Sequence, residues 1–281
     1  MNISAAIRDA AEALQRAGVA ESRREAASLL IFVLEKDQIF LIAHPEYELT
    51  KAEANSFDAV IRRRAAREPF QYIVGHQEFY GMEFEVAPGV LIPRPETEIL
   101  VGAAIEMLFD LPLSTFYEIG VGSGCVAVSI LNAVPNAGAI GVDISKRALA
   151  IAGRNAERHH VVHRLTLREA DVFEGLSGKF DLIVSNPPYI AESDIRSLEA
   201  EVVGFEPHTA LFGGTDGLSI IRRIVVNAPQ FLKATGFLLM EIGFGQAANV
   251  KDLFDELIWK GVEFLPDHKG ISRIVRSQLR G

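Results

Sequence analysis

The stretch "FYEIGVGSGCVAVSIL", residues 116–131, decides the fold. Phe116 to Ile119 reads as a short strand, and Gly120, Gly122 and Gly124 then break it at every second position. From Cys125 onward the run is apolar and helical in character. A strand, a glycine turn and a helix open an α/β unit. Gly120 and Gly122 permit a tight turn and close approach of a ligand to the backbone. The loop also feeds a helix N-terminus, which favours negative charge. Its Gly-x-Gly-x-Gly spacing is shorter than the dinucleotide fingerprint Gly-x-Gly-x-x-Gly. Glu118, two positions before the first glycine, repels a pyrophosphate and attracts a cationic amino-acid tail.

Downstream the alternation continues. "TFYEIG", "AIGVDI", "LTLREA", "DLIVSN" and "FLLMEI" read as strands, with helical segments at 124–134, 145–159 and 217–232 between some of them. This pattern predicts a parallel sheet with helices on both faces. "VEFLPDHKGISRIVRSQ" (262–278) adds two strand-like runs joined by a polar loop, an antiparallel hairpin at the sheet edge. Upstream, residues 1 to about 70 predict a helical bundle. Ile3, Ile7, Ala10, Leu14 and Ala17 mark one face, and Ala26, Leu29, Leu30, Val33 and Leu34 a second. Thr50 with Glu53 is a capping-box pattern before Phe57, Val60, Ile61 and Ala65. Residues 71–93, aromatic, β-branched and punctuated by glycine, predict a hairpin linker to a domain over 94–281.

In an open α/β sheet ligands lie at the carboxyl ends of strands, where strand order reverses. If the first three strands run outward on one side, the fourth lies beside the first, and its end, Asn186-Pro187-Pro188-Tyr189, neighbours the glycine loop. The acidic glycine loop tilts the expected cofactor from NAD to S-adenosylmethionine, whose methionine end carries an ammonium. Gly120, Val121, Gly122, Ser123 and Gly124 form the candidate loop. Asp143, nineteen residues after Gly124, is either a ligand for ribose hydroxyls or an N-cap for the helix beginning near Ser145. Asp171 is a candidate for an adenine amino group and Val172 for packing on the ring; an Asp in that position is equally common in turns.

Asn186 offers a neutral side-chain oxygen, and the Pro187 or Pro188 carbonyl a second acceptor. Prolines lock φ and lack an N–H. Tyr189 offers a flat face for a planar amide or base. Such a set holds the N–H groups of a poorly nucleophilic nitrogen; the bland alternative is a Pro-Pro turn ending a strand.

The bulk properties exclude several classes. The chain has 281 residues, 49% hydrophobic, 23% charged, with a formal net charge of -9. No apolar run is long enough to span a membrane, and the N-terminus lacks a signal-peptide core. With Cys125 alone, no intrachain disulfide forms, and the cytoplasm is the expected compartment. Residues 1–88 hold ten Lys/Arg against fourteen Asp/Glu, so no basic groove for nucleic acid is expected. "RRRAAR" (62–67) reads as a solvated helix face. The seven histidines show no metal-ligand spacing, and no metal is expected.

Together the glycine loop, Asp143, Asp171 and Asn186-Pro-Pro-Tyr resemble class I S-adenosylmethionine-dependent methyltransferases acting on nitrogen. "EPFQYIVGHQEFYGMEFEVAPGVLIPRPETE" (68–98), "SNPPYI" (185–190) and "VVGFEPHTALFGGTDGL" (202–218) resemble, more narrowly, the glutamine N5-methyltransferases of peptide chain release factors. The resemblance implies a Rossmann-like mixed sheet, S-adenosylmethionine as methyl donor, and the glutamine of a release factor's Gly-Gly-Gln motif as acceptor. It implies that Glu118, Gly120 to Gly124 and Asn186 hold the cofactor, with Asp143 on its ribose and Asp171 and Val172 at its adenine. Asn186 to Tyr189 would take the glutamine, and Arg94 and Glu206 are candidates for shaping the substrate pocket or for an ordinary ion pair. Glu118 stands where the family often has Asp, and Val172 where some members carry an aromatic residue. An adenine-N6 methyltransferase of DNA or RNA, which flips a base into the same kind of pocket, is the alternative enzyme. A non-catalytic binding module is the third reading.

Overall fold

The computed structural model describes all 281 residues. They form two compact units, Met1–His76 with Glu199–Phe205, and Gln77–Leu198 with Glu206–Gly281.

The first unit is helical. Helices span Ile3–Arg16, Ser22–Leu34, Gln38–Ala43 and Lys51–Ala65. Asn2 caps the first, and Thr50 with Glu53 forms the expected capping box on the fourth. The buried stripe of the first helix is Ile3, Ala6, Ala10 and Leu14, and the expected Ile7 packs, partly buried, beside it. These residues pack with Leu29, Leu30, Phe57 and Ile61.

Two expectations are corrected here. Phe70–Val74 is one turn of helix, ended by Gly75 in the left-handed region at φ 85, and not part of a hairpin. A five-residue apolar run carries no clear period, and the glycine stop decides it. Among its arginines, the "RRRAAR" run is a solvated face only at Arg62 and Arg63. Arg64 is buried, and its guanidinium pairs with Glu25 and, at 2.8 Å, with Glu201. Arg63 pairs with Glu68, and Arg67 donates to the Gly18 carbonyl. Glu201 belongs to the helix Ala200–Phe205, which packs in this unit although it lies far downstream in sequence.

The second unit holds a two-stranded hairpin, β1 (His76–Phe79, whose first residue falls in the helical unit) with β2 (Met82–Glu85), and a seven-stranded sheet. The sheet strands are β3 (Ser114–Ile119), β4 (Ala137–Asp143), β5 (Leu165–Glu169), β6 (Phe180–Ser185), β7 (Leu232–Glu241), β8 (Trp259–Pro266) and β9 (Ser272–Leu279). Their order is β5-β4-β3-β6-β7-β9-β8. The first five are parallel; β9 runs antiparallel to β7 and β8, giving the expected antiparallel edge.

Alternate residues of the central strands feed two cores, as the period of two requires. Phe116, Leu182, Val184 and Leu239 pack on one face with helices Thr97–Leu108 and Cys125–Ala133. Tyr117, Ile183, Leu238 and Met240 pack on the other with helix Ser219–Asn227. A sheet buried on both faces reads as near-continuous apolar runs.

Strand order reverses between β3 and β6, which places the expected switch point there. The register then sets the site. Ile119 stands opposite both Val142 and Ser185, and Ser185 opposite Met240. The next residue of each strand therefore falls in one row along the carboxyl edge: Asp143, Gly120, Asn186, Glu241. The Ser185 hydroxyl donates to the Ile119 carbonyl at 2.8 Å and pins this register.

Candidate active site

A cleft opens above that row. Glu118, the Gly120–Ser123 loop, Asp143, Asp171, Val172, Asn186, Pro188, Arg94 and Thr97 line it. The loop takes the left-handed backbone at Gly120 (φ 73), Gly122 (φ 54) and Gly124 (φ 81). A Cβ on Gly124 would come within 3.1 Å of the Ala152 Cβ, so this glycine serves helix packing and not the cleft. Asn155, fully buried, braces the loop from behind. Its amide donates to the Ser123 carbonyl (2.9 Å) and exchanges two hydrogen bonds with the Glu85 backbone, tying the hairpin to the glycine loop.

Glu118 is 2% exposed, and its Oε2 has no hydrogen-bond partner. Burial pushes its carboxyl well above the usual range, and the nearby Asp143 adds to this. A buried carboxylate oxygen without a donor costs free energy that a ligand N–H recovers. The Ser123 hydroxyl is likewise buried and unpaired. These two atoms fit the ammonium and carboxylate of an amino-acid tail.

Asp143 accepts from the Gly122 N–H and the Ser145 N–H, both at 2.9 Å. Burial still raises its carboxyl above the ordinary value, against those two donors. The helix cap is Ser145, whose Oγ accepts from the Ala148 N–H, so the capping alternative for Asp143 is excluded. Asp171 is half exposed and ion-paired with Arg223 at 2.9 Å. Val172 sits in the left-handed region at φ 59, rare for a β-branched residue. Its carbonyl accepts from the Tyr117 hydroxyl at 2.6 Å.

At the end of β6, Asn186 Nδ2 donates to Thr97 Oγ1 (3.1 Å), and that hydroxyl donates to Glu241 Oε2 (2.7 Å). The Tyr189 hydroxyl donates to Glu241 Oε1 at 3.1 Å. Glu241 is 2% exposed, and burial pushes its carboxyl up to about 7. Burial and the same carboxylate also raise the Tyr189 phenol.

Two glycines hold the turn from behind. A Cβ on Gly213 would fall 2.6 Å from the Pro188 carbonyl oxygen, and one on Gly217 2.3 Å from that of Tyr189. Gln246 donates to the Tyr189 carbonyl (2.9 Å) and accepts from the Gly243 N–H (2.8 Å). The Pro188 carbonyl oxygen lies close to Gly213, and of the Asn-Pro-Pro-Tyr turn only Asn186 and Pro188 line the cleft; Pro187 and Tyr189 stand behind it. Pro187 itself is buried. Arg94 and Glu206 do form an ion pair, and buried Glu206 also accepts from the Ile92 N–H at 3.4 Å.

Asn155, Gly213, Gly217, Glu241 and Gln246 were not among the expected site residues, and Thr97 was expected only as part of the "RPETE" stretch (94–98), a candidate for shaping the substrate pocket. Glu241 had a signal: an acid closing the apolar run "FLLM". The glycines of "FGGTDG" had another. No group of three His, Cys, Asp or Glu is placed to hold a metal ion, and no helix is long and apolar enough to cross a membrane.

A seven-stranded sheet with a reversed edge, and an acidic glycine loop beside Asn-Pro-Pro-Tyr at its switch point, define an S-adenosylmethionine-dependent methyltransferase. A methyltransferase from Pyrococcus furiosus shares this fold at 18% identity, with a TM-score of 0.55 over 80% of this chain and 98% of its own. Residues 5–75 match the PrmC N-terminal domain, and residues 103–203 the methyltransferase small domain. The release factor glutamine methyltransferase of Koribacter versatilis is 40% identical over 277 residues, 98% of each chain. That of Geobacter sulfurreducens is 42% identical over 267 residues, 95% of this chain and 93% of its own. The chain belongs to the release factor glutamine methyltransferase family.

Proposed function

We propose that this chain moves a methyl group from S-adenosylmethionine to the N5 amide nitrogen of the glutamine in a release factor's Gly-Gly-Gln motif. The observation that carries the reading is the single cleft, in which Asn186 stands one strand away from the glycine loop. The names of the near-full-length relatives support the release factor as acceptor and translation termination as its setting.

Glu118, through its unpaired Oε2, takes the cofactor ammonium; the Gly120, Val121, Gly122 and Gly124 N–H groups are already donated within the protein, so the carboxylate end falls to Ser123 on the same loop. Asp143 accepts from the ribose hydroxyls. Asp171 and Val172 border the adenine; Arg223 holds one Asp171 oxygen, so the other is left for the amino group. Bound there, S-adenosylmethionine supplies an electrophilic methyl on a positively charged sulfur.

The chain's own work is to present the acceptor. An amide nitrogen is a poor nucleophile because its lone pair is delocalised. Asn186 Oδ1 and a proline carbonyl of the turn accept its two N–H groups, and Tyr189 stiffens the turn. Holding the nitrogen in one orientation converts an encounter into a fixed geometry, which supplies a large share of the rate. Arg94 and Glu206 form the wall through which the glutamine enters.

Incubation with radiolabelled cofactor, purified release factor, DNA and ribosomal RNA tests the reading. Label on the release factor, lost when its Gly-Gly-Gln glutamine is replaced, is the expected result. Label on nucleic acid and not on the release factor overturns it in favour of an adenine-N6 enzyme.

A further inference from the structure

We propose that Thr97 and Glu241 are positioning residues that fix which end of the Asn186 amide faces the cleft. The proposal rests on Asn186 being the acceptor for the substrate nitrogen, and it explains how a side chain with one donor end and one acceptor end presents only the acceptor.

The argument is a count of protons. Ionised Glu241 has two oxygens and no proton, and both oxygens are taken, Oε1 by the Tyr189 hydroxyl and Oε2 by the Thr97 hydroxyl. Thr97 has one hydroxyl proton and gives it to Glu241. Its oxygen can therefore only accept from Asn186. The group that reaches it must be the NH2 end, and Nδ2 does lie 3.1 Å away. Asn186 Oδ1 is then left for the cleft, which Asn186 and Thr97 both line. Without the chain, the two ends of an amide are nearly equal in shape and either can face out. An outward NH2 would meet the NH2 of a glutamine donor against donor.

Burial makes the device strict. Thr97 and Glu241 are 3% and 2% exposed, so water is poorly placed to substitute for a missing partner. The row of strand ends also places Glu241 beside Asn186 through the pairing of Ser185 with Met240.

The same count reverses when Glu241 gains a proton. Protonated Oε2 donates to Thr97, the Thr97 hydroxyl is freed to donate to Asn186 Oδ1, and the NH2 turns to the cleft. Glu241 faces Tyr189 on the turn, Glu96 ahead of helix Thr97–Leu108, Arg273 on β9 and the Cys125 thiol. Glu96 raises its carboxyl and Arg273 lowers it, but burial dominates and brings it to about 7. Turnover should then fall as pH drops through neutrality.

Thr97→Val removes the hydroxyl at nearly constant shape, and Thr97→Ser keeps it. The experiment measures kcat for release-factor methylation, cofactor Kd by calorimetry, and the pH profile of kcat from 6 to 8.5 for wild type, T97V, T97S and E241Q. In T97V, kcat should fall about tenfold or more, the scale of one buried hydrogen bond. Cofactor Kd should be retained, T97S should be close to wild type, and the acid limb near neutrality should vanish in T97V and E241Q. A T97V kcat within twofold of wild type overturns the proposal. So does T97S as impaired as T97V, parallel loss of cofactor binding, or an acid limb unchanged in T97V. Wild type that leaves the release factor unlabelled refutes the proposed function instead, and that control separates the two failures.

Discussion

Two buried glutamates stand on the sheet near the cleft, one on β3 and one on β7, and the same desolvation raises the carboxyl of each. Glu241 is saturated: Thr97 and Tyr189 occupy its two oxygens. Glu118 is left with a bare Oε2 on the cleft wall. A carboxylate whose two oxygens both accept from the protein is scaffold. One that the protein leaves open at full burial is unstable until a donor arrives from outside. The difference divides the cleft into an end that awaits a cation and an end already wired to aim an amide.

That division can be broken by experiment. The largest effect is expected at the wired end. Asn186→Ala should lower kcat about 100-fold, the scale set by losing the orientation of a reacting group. Cofactor Kd should stay within about twofold, because Glu118, the loop and Asp143 are untouched. Near wild-type turnover in this variant would remove Asn186 from the chemistry. The open end should behave in the opposite sense. Glu118→Gln should weaken cofactor binding about tenfold or more, the scale of a charge-assisted hydrogen bond. Turnover at saturating cofactor should largely survive.

The sign of the pH dependence follows from the raised Glu118 carboxyl. A carboxyl whose folded pKa lies above its unfolded value destabilises the fold when ionised. Its contribution is fully present below the ordinary carboxylate range and is lost as pH rises through the folded value. E118Q should therefore melt higher than wild type without cofactor at alkaline pH, with the gap closing in acid. Binding a cation beside Glu118 should release a proton, read as a buffer-dependent heat in calorimetry. A proton release that persists unchanged in E118Q would mean that Glu118 does not meet the ammonium. The smallest effect is expected behind the turn. Gly217→Ala places a methyl 2.3 Å from the Tyr189 carbonyl, in a residue already at φ 74. It should cost about 1–3 kcal/mol of stability and lower kcat more than it changes cofactor Kd. An unaltered melting temperature would show that the backbone there gives way freely.

The open end was legible in the sequence because its parts are local. Glu118, three glycines and the following helix fall within one short run, and Asp143 closes the next strand. The wired end was half legible. Asn186-Pro-Pro-Tyr announces itself, but Thr97 and Glu241 lie 89 and 52 residues from Asn186 and Tyr189; strand register brings in Glu241, and the first turn of helix Thr97–Leu108 brings in Thr97. Asp143 showed the limit of local reading: its role as a cap was undecidable until Ser145 was found doing that work. Arg64 failed for the reverse reason. Within "RRRAAR" it looks like any exposed arginine, and its burial depends on Glu201, far along the chain.

That pairing has a consequence for heredity. The helix Ala200–Phe205 is encoded between the Asn-Pro-Pro-Tyr turn and Glu206, yet it folds with the N-terminal helices. A recombination joint near residue 76 would thus exchange only part of the helical unit, separating Arg64 from its native Glu201. Grafting this unit onto another catalytic sequence requires two joints that change in step, so the recipient must bring a matching acid or acquire one. The pieces of this chain are expected to travel between genomes as a set.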